Sequence, residues 1–375
     1  MAAADPSDLK HLRRALRLAL RGRYRTAPNP RVGAVLVRDG IVVGQGWHRR
    51  VGGPHAEIEA LRAAAAVSPD AARGATLYVT LEPCSHFGRT PPCADAVVAA
   101  GVSRVVACVG DPNPKVAGKG FARLREAGIE VEWGLLAAEA IRINLPFFAS
   151  QVLGRPAVTL KWAMSLDGKI ATVAGESRWI SSPEARKASL ALREEHDAIL
   201  VGVGTVLADD PRLDRRLGRA EGPILRLILD RRLRTPPAAA MLKVEGPVVI
   251  FTESDDSERH AALVAAGAEV VRLPAVEPRA VLAALFERGV ASVLVEGGGE
   301  VHASFVAAGA YDAVRIDAAP VLLGGKSAPT PFGGEGFARL DQAPRLDRLE
   351  ATRAGEDVIL SGLRVGCLEE LLRGV

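Results

Sequence analysis

Strand-like and helix-like segments alternate along almost the whole chain, and this constrains the fold more than any other feature. Leu9, Leu12, Leu16, Ala19 and Leu20 recur at three- and four-residue spacing behind Ser7 and Asp8, which predicts an amphipathic helix with a Ser7/Asp8 cap. Val32–Val37 and Ile41–Val43 flank Asp39-Gly40, a hairpin signal. Pro54 opens a helix reaching about Ala66. Strands follow at Thr76–Leu81, Val105–Val109 and Ile129–Trp133, separated by helices at Ala94–Ala100 and Gly120–Ala127. The pattern lapses around Asn144–Pro156, then restarts. Strands are expected at Ala157–Ala163, Ala198–Val201, Leu225–Leu229, Val248–Phe251, Glu269–Arg272, Ser292–Val295 and Ala313–Ala318. Helices are expected at Pro183–Glu195, Ser257–Ala266, Arg279–Arg288 and Val301–Ala308. Two alternating runs in 375 residues predict two layered α/β domains, at 1–146 and 156–375, with a linker at 147–155.

Composition removes other classes. Hydrophobic residues are 48% and charged residues 25%, which excludes a disordered chain. No run approaches the ~20 apolar residues of a membrane helix, so no membrane role is expected. The four cysteines are too few for a disulfide framework, so a cytoplasmic enzyme is expected. Residues 1–150 hold 20 Lys and Arg against 13 Asp and Glu; the rest hold 28 against 31. A basic first half suggests an anionic partner. Aromatic residues are only 4% and do not interleave with the arginines. That favours a phosphorylated small molecule over nucleic acid, which would require stacking platforms.

His55-Ala56-Glu57, Pro83-Cys84 and Cys93 carry the first chemistry. One imidazole and two thiolates leave a tetrahedral Zn2+ one position for water. Zinc lowers the pKa of that water from ~15.7 to near 7. Glu57, two residues after the histidine, is placed to carry a proton without binding metal. This is a deaminase pattern, except that eight residues separate the cysteines where the general signature has two. The bland alternative is two core thiols beside a surface histidine.

The spacer from Leu81 to Cys93 resembles the deaminase domain of the bifunctional riboflavin-biosynthesis deaminase/reductase family. So do Asn29-Pro30-Arg31-Val32-Gly33-Ala34-Val35, Gly46-Trp47-His48, Gly52-Gly53-Pro54-His55-Ala56-Glu57 and Gly110-Asp111-Pro112-Asn113-Pro114. The resemblance implies a cytidine-deaminase-like three-layer α/β/α domain acting on a diaminopyrimidinone ribosylamino phosphate. It also implies a substrate pocket lined by Asn29, His48, His86, Arg89 and Asn113. Taken alone, both asparagines read as turn residues before proline, and Arg89 as a surface charge.

The second half lacks the Gly-x-Gly-x-x-Gly of an ordinary Rossmann domain. Ser292–Glu296 instead runs into Gly297-Gly298-Gly299 and a helix, which reads equally as a phosphate cradle or a flexible connection. Lys161–Ile170, Gly175–Ser181 and Gly204–Pro211 resemble the reductase domain of the same family, which implies a dihydrofolate-reductase-like α/β fold and NADPH. By that resemblance Ala163, Trp179, Thr205, Asp209 and Gly298, Gly299, Glu300, Val301, His302, Ala303 and Ser304 contact the cofactor. Ser177, Arg193, Leu213, Arg216 and Glu296 contact the substrate. Lys161, Asp209 and Glu296 are the expected catalytic groups nearest the reacting sugar. Arg231-Arg232 stands where the family commonly has a small hydroxyl residue, so Arg231 is a candidate for the 2′-phosphate or a solvated loop charge. Family resemblance also implies a homo-oligomer. Two competing readings are a nucleic-acid base deaminase with an accessory binding domain, and a zinc-stabilised scaffold. The first leaves the second half unexplained, and the second has no use for Glu57.

Overall fold

The computed structural model describes residues 5–85 and 92–375. In chain order the first unit holds α1 (Pro6–Ala19), β1 (Gly33–Arg38), β2 (Ile41–Trp47), α2 (Ala56–Val67), β3 (Thr76–Val79) and α3 (Cys93–Ala99). It continues with β4 (Arg104–Ala107), α4 (Lys119–Glu126), β5 (Glu130–Trp133), α5 (Ala137–Ile143) and α6 (Leu145–Phe148). Among the described residues these strands form one sheet in the order β2-β1-β3-β4-β5. The β1–β2 hairpin and the β1–β3 pair are antiparallel, and β3, β4 and β5 run parallel.

Strand alternation divides the side chains between two helical layers. Ala34, Leu36, Leu77, Val79, Val105 and Ala107 face α2, α3 and α4, closing a core with Ala60, Val97, Phe121 and Leu124. The helix α1 covers the opposite face, where Tyr78 donates a 2.8 Å hydrogen bond to Asp8. Small residues bring α2 close. Its buried stripe is Ala56, Ala60 and Ala64, and a Cβ at Gly44 of β2 would lie 2.3 Å from the Ala60 carbonyl. That close approach sets the start of α2, and therefore His55 and Glu57, over the sheet.

The cap of α1 differs from the expected one. Asp5 caps the helix, accepting from Ser7 N, while Asp8 turns inward and is buried. Arg104 grips the Asp8 carboxylate with two nitrogens, at 2.9 and 2.8 Å. Losing Asp8 takes two charged hydrogen bonds from Arg104, which keeps Glu132, and leaves the Tyr78 hydroxyl without its acceptor. Asp8→Ala is therefore expected to lower the stability of the first unit by about 2 kcal/mol, read as an earlier urea transition. The Arg104 hydrogen bonds, opposed by burial and helped by Tyr78, hold this carboxyl below its ordinary 3.8. The stabilisation is thus complete above the ordinary aspartate value and lost as pH falls through the lower folded value.

The second unit contains β6 (Ala157–Ser165), α7 (Pro183–Arg193), β7 (Ala198–Gly202), α8 (Val203–Asp209), β8 (Leu225–Leu229), β9 (Val248–Thr252) and α9 (Ser257–Ala265). After these come β10 (Glu269–Arg272), α10 (Pro278–Glu287), β11 (Ser292–Gly297), α11 (Gly299–Ala307), β12 (Ala313–Ala319), β13 (Leu346–Ala354) and β14 (Asp357–Arg364). Among the described residues they make a second sheet, β10-β9-β8-β7-β11-β6-β12-β14-β13. From β10 to β12 the neighbours are parallel, and β14 and β13 add an antiparallel edge. One face packs Leu160, Leu200, Phe251, Val295 and Phe305; the other packs Ile199, Val201, Ile228, Ile250 and Leu263.

Several elements were not foreseen, the short helices α5 and α8 among them. The segment after Asn144, expected to lapse into a linker, is helical through α6 and a wide helical turn at Ala149–Leu153. The β13–β14 hairpin escaped because the edge strand β13 is exposed along most of its length and carries no apolar alternation. A final helix, α12 (Cys367–Leu372), ends the chain. The compact units also differ from the expected bounds: one spans Gly154–Cys367, and Leu368–Val375 joins the unit ending at Leu153. Leu368 and Leu371 are buried there.

Candidate active sites

In the first unit, two helix starts and one loop converge. His55 precedes α2 and Cys93 opens α3, while Cys84 lies in the loop after β3. Their ligand atoms all lie within 4.8 Å of one another. His55 Nδ1 is 3.2 Å from Cys93 Sγ and 3.5 Å from Cys84 Sγ, and the Cys93 N–H donates to Cys84 Sγ at 3.3 Å. As N-cap residue, His55 makes no side-chain cap bond, because its ring is turned to the sulfurs. Hydrogen bonding from Cys93, against the opposing effect of burial, lowers the Cys84 thiol to about 4. The Cys93 thiol is pushed up by its bond to Cys84 and by burial, so a divalent metal must displace its proton. This donor set fits Zn2+, one imidazole and two thiols in tetrahedral reach.

Glu57, on the first turn of α2, is 3% exposed. Burial raises its carboxyl to about 7, against the pull of His55. Asn29 and His48 meet next to the His55 ring: Asn29 Nδ2 is 3.2 Å from His48 Nε2, and the His48 ring centroid is 5.5 Å from that of His55. His48 Nδ1 lies 3.0 Å from the Pro54 carbonyl, which fixes the ring. Asn113 lies in the loop after β4, its N–H bonded to Asp111 and its Oδ1 accepting from Lys115 N. That is the turn chemistry expected of the residue alone, and it leaves the amide NH2 outside the turn. His86 and Arg89 lie outside the described residues.

Two supporting residues were not singled out from the sequence, although Glu82 lies within the Leu81–Cys93 stretch. Glu82, buried beside Pro83-Cys84, accepts from the N–H groups of Asp111, Gly118, Gly120 and Phe121. It thus ties the Cys84 loop to the Asn113 loop. Asn144 clasps Arg31 through both its amide atoms, at 2.7 and 2.9 Å, and so steadies the Asn29 segment.

The second unit holds a cleft of about 1450 Å³ at the carboxyl ends of its parallel strands, where open α/β sheets bind ligands. Lys161, Ala163, Ser177, Trp179, Arg193, Thr205, Asp209, Leu213, Arg216, Arg231, Glu296, Gly298, Gly299, Glu300, Val301, His302 and Ser304 all line it. Ala303 does not; it faces Gly334, where a Cβ would lie 3.2 Å from its methyl. The glycine run is a close-approach device: a Cβ at Gly297 would sit 2.9 Å from Thr205 Oγ1, and Gly298 has φ +87°. Helix α11 starts at Gly299, and its first residues, Gly299, Glu300 and Val301, line the cleft, where the N-terminal N–H groups of a helix suit a phosphate. The chemistry of this cradle fits a dinucleotide phosphate.

Several charged residues in the cleft are paired. Arg193 grips both oxygens of Glu296, at 2.9 and 2.7 Å, and burial notwithstanding, this neighbour keeps Glu296 below its ordinary range. Lys161 Nζ lies 3.2 Å from Asp317, a fully buried acid that sequence reasoning missed. His302 has both ring nitrogens near backbone carbonyls of Pro331 and Val295, so its ring edge is not free for a ligand. Arg231 is 3.3 Å from Glu253, while Arg232 and Arg234 line the same cleft.

The pieces define a deaminase of the zinc type joined to a reductase. Residues 6–109 match the model of the cytidine and deoxycytidylate deaminase zinc-binding region, and residues 156–360 that of the RibD C-terminal domain. The riboflavin biosynthesis protein RibD of Bacillus amyloliquefaciens is 45% identical over 358 residues, covering 94% of this chain and 95% of that protein. RibD of Aquifex aeolicus is 41% identical, covering 94% and 97%. The structure of Acinetobacter baumannii RibD superposes with a TM-score of 0.83 at 38% identity, covering 96% of this chain and 99% of that one. A Thermotoga maritima diaminohydroxyphosphoribosylaminopyrimidine deaminase/5-amino-6-(5-phosphoribosylamino)uracil reductase gives a TM-score of 0.83 at 35% identity, with the same coverage. The chain belongs to the RibD family and is a bifunctional deaminase/reductase of riboflavin biosynthesis. Among the described residues no helix is long and apolar enough to cross a membrane.

Proposed function

We propose that the first unit hydrolyses the ring amine of 2,5-diamino-6-(ribosylamino)-4(3H)-pyrimidinone 5′-phosphate, and that the second uses NADPH to reduce the ribosyl group of the resulting 5-amino-6-(5-phosphoribosylamino)uracil to ribityl. The observation that carries this reading is the convergence of His55, Cys84 and Cys93 beside a buried Glu57, in one chain with a glycine-lined cleft. His55, Cys84 and Cys93 would hold Zn2+, which when bound activates water for attack. Glu57, with a carboxyl near neutrality, would carry two protons in turn, the first from the attacking water to the ring nitrogen and the second from the resulting hydroxyl to the amine, which leaves as ammonia as the carbonyl forms. Asn29 and His48, locked to each other, present fixed polar atoms to one edge of the ring.

In the reductase cleft the Gly297–Gly299 cradle and Thr205 would seat the pyridine nucleotide, which supplies the reducing equivalent. Lys161 holds a proton near the sugar oxygen, and the Arg193–Glu296 pair orients the ribose. Arg231 and Arg232 stand ready for a 2′-phosphate, although Glu253 already offsets part of the Arg231 charge. Losing a charged hydrogen bond costs about 1.5–3 kcal/mol. Arg231→Ala with Arg232→Ala is accordingly expected to erode the NADPH-over-NADH preference in kcat/KM by roughly 10- to 100-fold. An unchanged preference would assign these arginines to solvent.

The test of the whole reading is turnover of the diaminopyrimidine, following ammonia release and NADPH oxidation together. Ammonia first, then NADPH loss in equal amount, is the expected course. A zinc-loaded chain that does neither would send the search to other amines.

A further inference from the structure

We propose that Asp317 is a positioning residue of the reductase, holding the Lys161 ammonium in place beneath the cleft. The inference rests on the reading of Lys161 as a catalytic group. The strands β6 and β12 are parallel neighbours, with Lys161 opposite Arg315 and Ala163 opposite Asp317. Trp162 and Ile316 between them pack into one core, so Lys161, Ala163, Arg315 and Asp317 share the other face. On that face α7 supplies Ser189.

The Asp317 carboxylate is fully buried, and all its recorded partners are donors. Ser189 Oγ donates to Oδ2 at 2.6 Å, Arg315 Nε to Oδ1 at 3.2 Å, and Lys161 Nζ lies 3.2 Å from Oδ2. Ser189 and Arg315 fix the carboxylate, and the carboxylate then fixes Lys161. The other acid near Lys161 is Glu296, but its two oxygens are both engaged by Arg193. It is therefore Asp317 that anchors the ammonium. Lys161 and Ser189 line the cleft, while Asp317 and Arg315 are not among its lining residues. An ammonium has three donors. With one directed at Asp317, donor capacity remains for a ligand in the cleft. An arrangement serving packing alone has no need of a buried acid here, since apolar residues of similar volume generally serve as well.

The full-length chain tests this with 5-amino-6-(5-phosphoribosylamino)uracil and NADPH as substrates. Asp317→Asn is expected to lower the reductase kcat about tenfold or more while both KM values stay within about threefold, with ammonia release by the same chain unchanged. In a Lys161→Met background the same substitution is expected to change kcat by less than about twofold, because residues acting through one another do not add. Full, independent losses in the two backgrounds, or a risen KM at unchanged kcat, would overturn the proposal and leave Lys161 in its role. A Lys161→Met chain that reduces at the wild-type rate removes Lys161 from the reaction, and the proposal with it. If Asp317→Asn does not fold, Asp317→Glu carries the same comparison: it keeps the charge but displaces it by one methylene. It should lower kcat in the wild-type background and be neutral beside Lys161→Met; a wild-type kcat in the first case overturns the proposal.

Discussion

Glu57→Gln is expected to slow ammonia release by about 10²- to 10⁴-fold, the range of a lost general acid–base group. The same chain should still oxidise NADPH when given the deaminated intermediate. Glutamine has the shape of glutamate and fits the same buried site at the start of α2, where Glu57 is 3% exposed. His55, Cys84 and Cys93 are untouched, so bound zinc per chain should not change. What glutamine lacks is a carboxyl poised near neutral pH; burial raises Glu57 to about 7. Metal analysis, ammonia assay and NADPH oxidation on one preparation check all of this. Wild-type ammonia release by the variant would strip Glu57 of its role.

Deleting Leu368–Val375 is expected to damage the deaminase and spare the reductase, although these residues follow the reductase in sequence. They belong to the compact unit that ends at Leu153. Leu368 and Leu371 are buried in it, and each such side chain is worth about 1.5–3 kcal/mol. Val375 reaches Gly110, where a Cβ would lie 3.5 Å from its Cγ1, next to the loop that Glu82 latches. The truncated chain should therefore melt earlier and release ammonia more slowly at assay temperature, with NADPH oxidation near wild type. Loss of the reductase instead would reassign the C-terminal segment.

Part of the candidate metal site was legible because its chemistry is local. His55 and Glu57 are two residues apart at a helix start, and a proline-marked loop carries Cys84. The strand periods of β6, β7, β8, β9 and β11 were equally readable, since buried parallel strands are apolar runs. The edge strand β13 was not, because an exposed strand has no buried face to impose alternation. The cap of α1 was misread for a related reason. Asp5 and Asp8 both suit a helix start, and Arg104, nearly a hundred residues away, decides which one turns inward.

The sequence by itself determined the two α/β domains and brought forward a candidate metal-binding trio with its carboxylate, while it left the glycine run open between a phosphate cradle and a flexible connection. The domains follow from the apolar periods of strands and helices, and Glu57 from its two-residue spacing to His55. Only the tertiary structure decided that Glu82 joins the Cys84 and Asn113 loops, that Arg193 neutralises Glu296, and that Asp317 lies against Lys161. Those pairings depend on burial, which makes an unpaired charge costly and so dictates its partner. Burial is a property of the packed sheet, and no local stretch of residues encodes it.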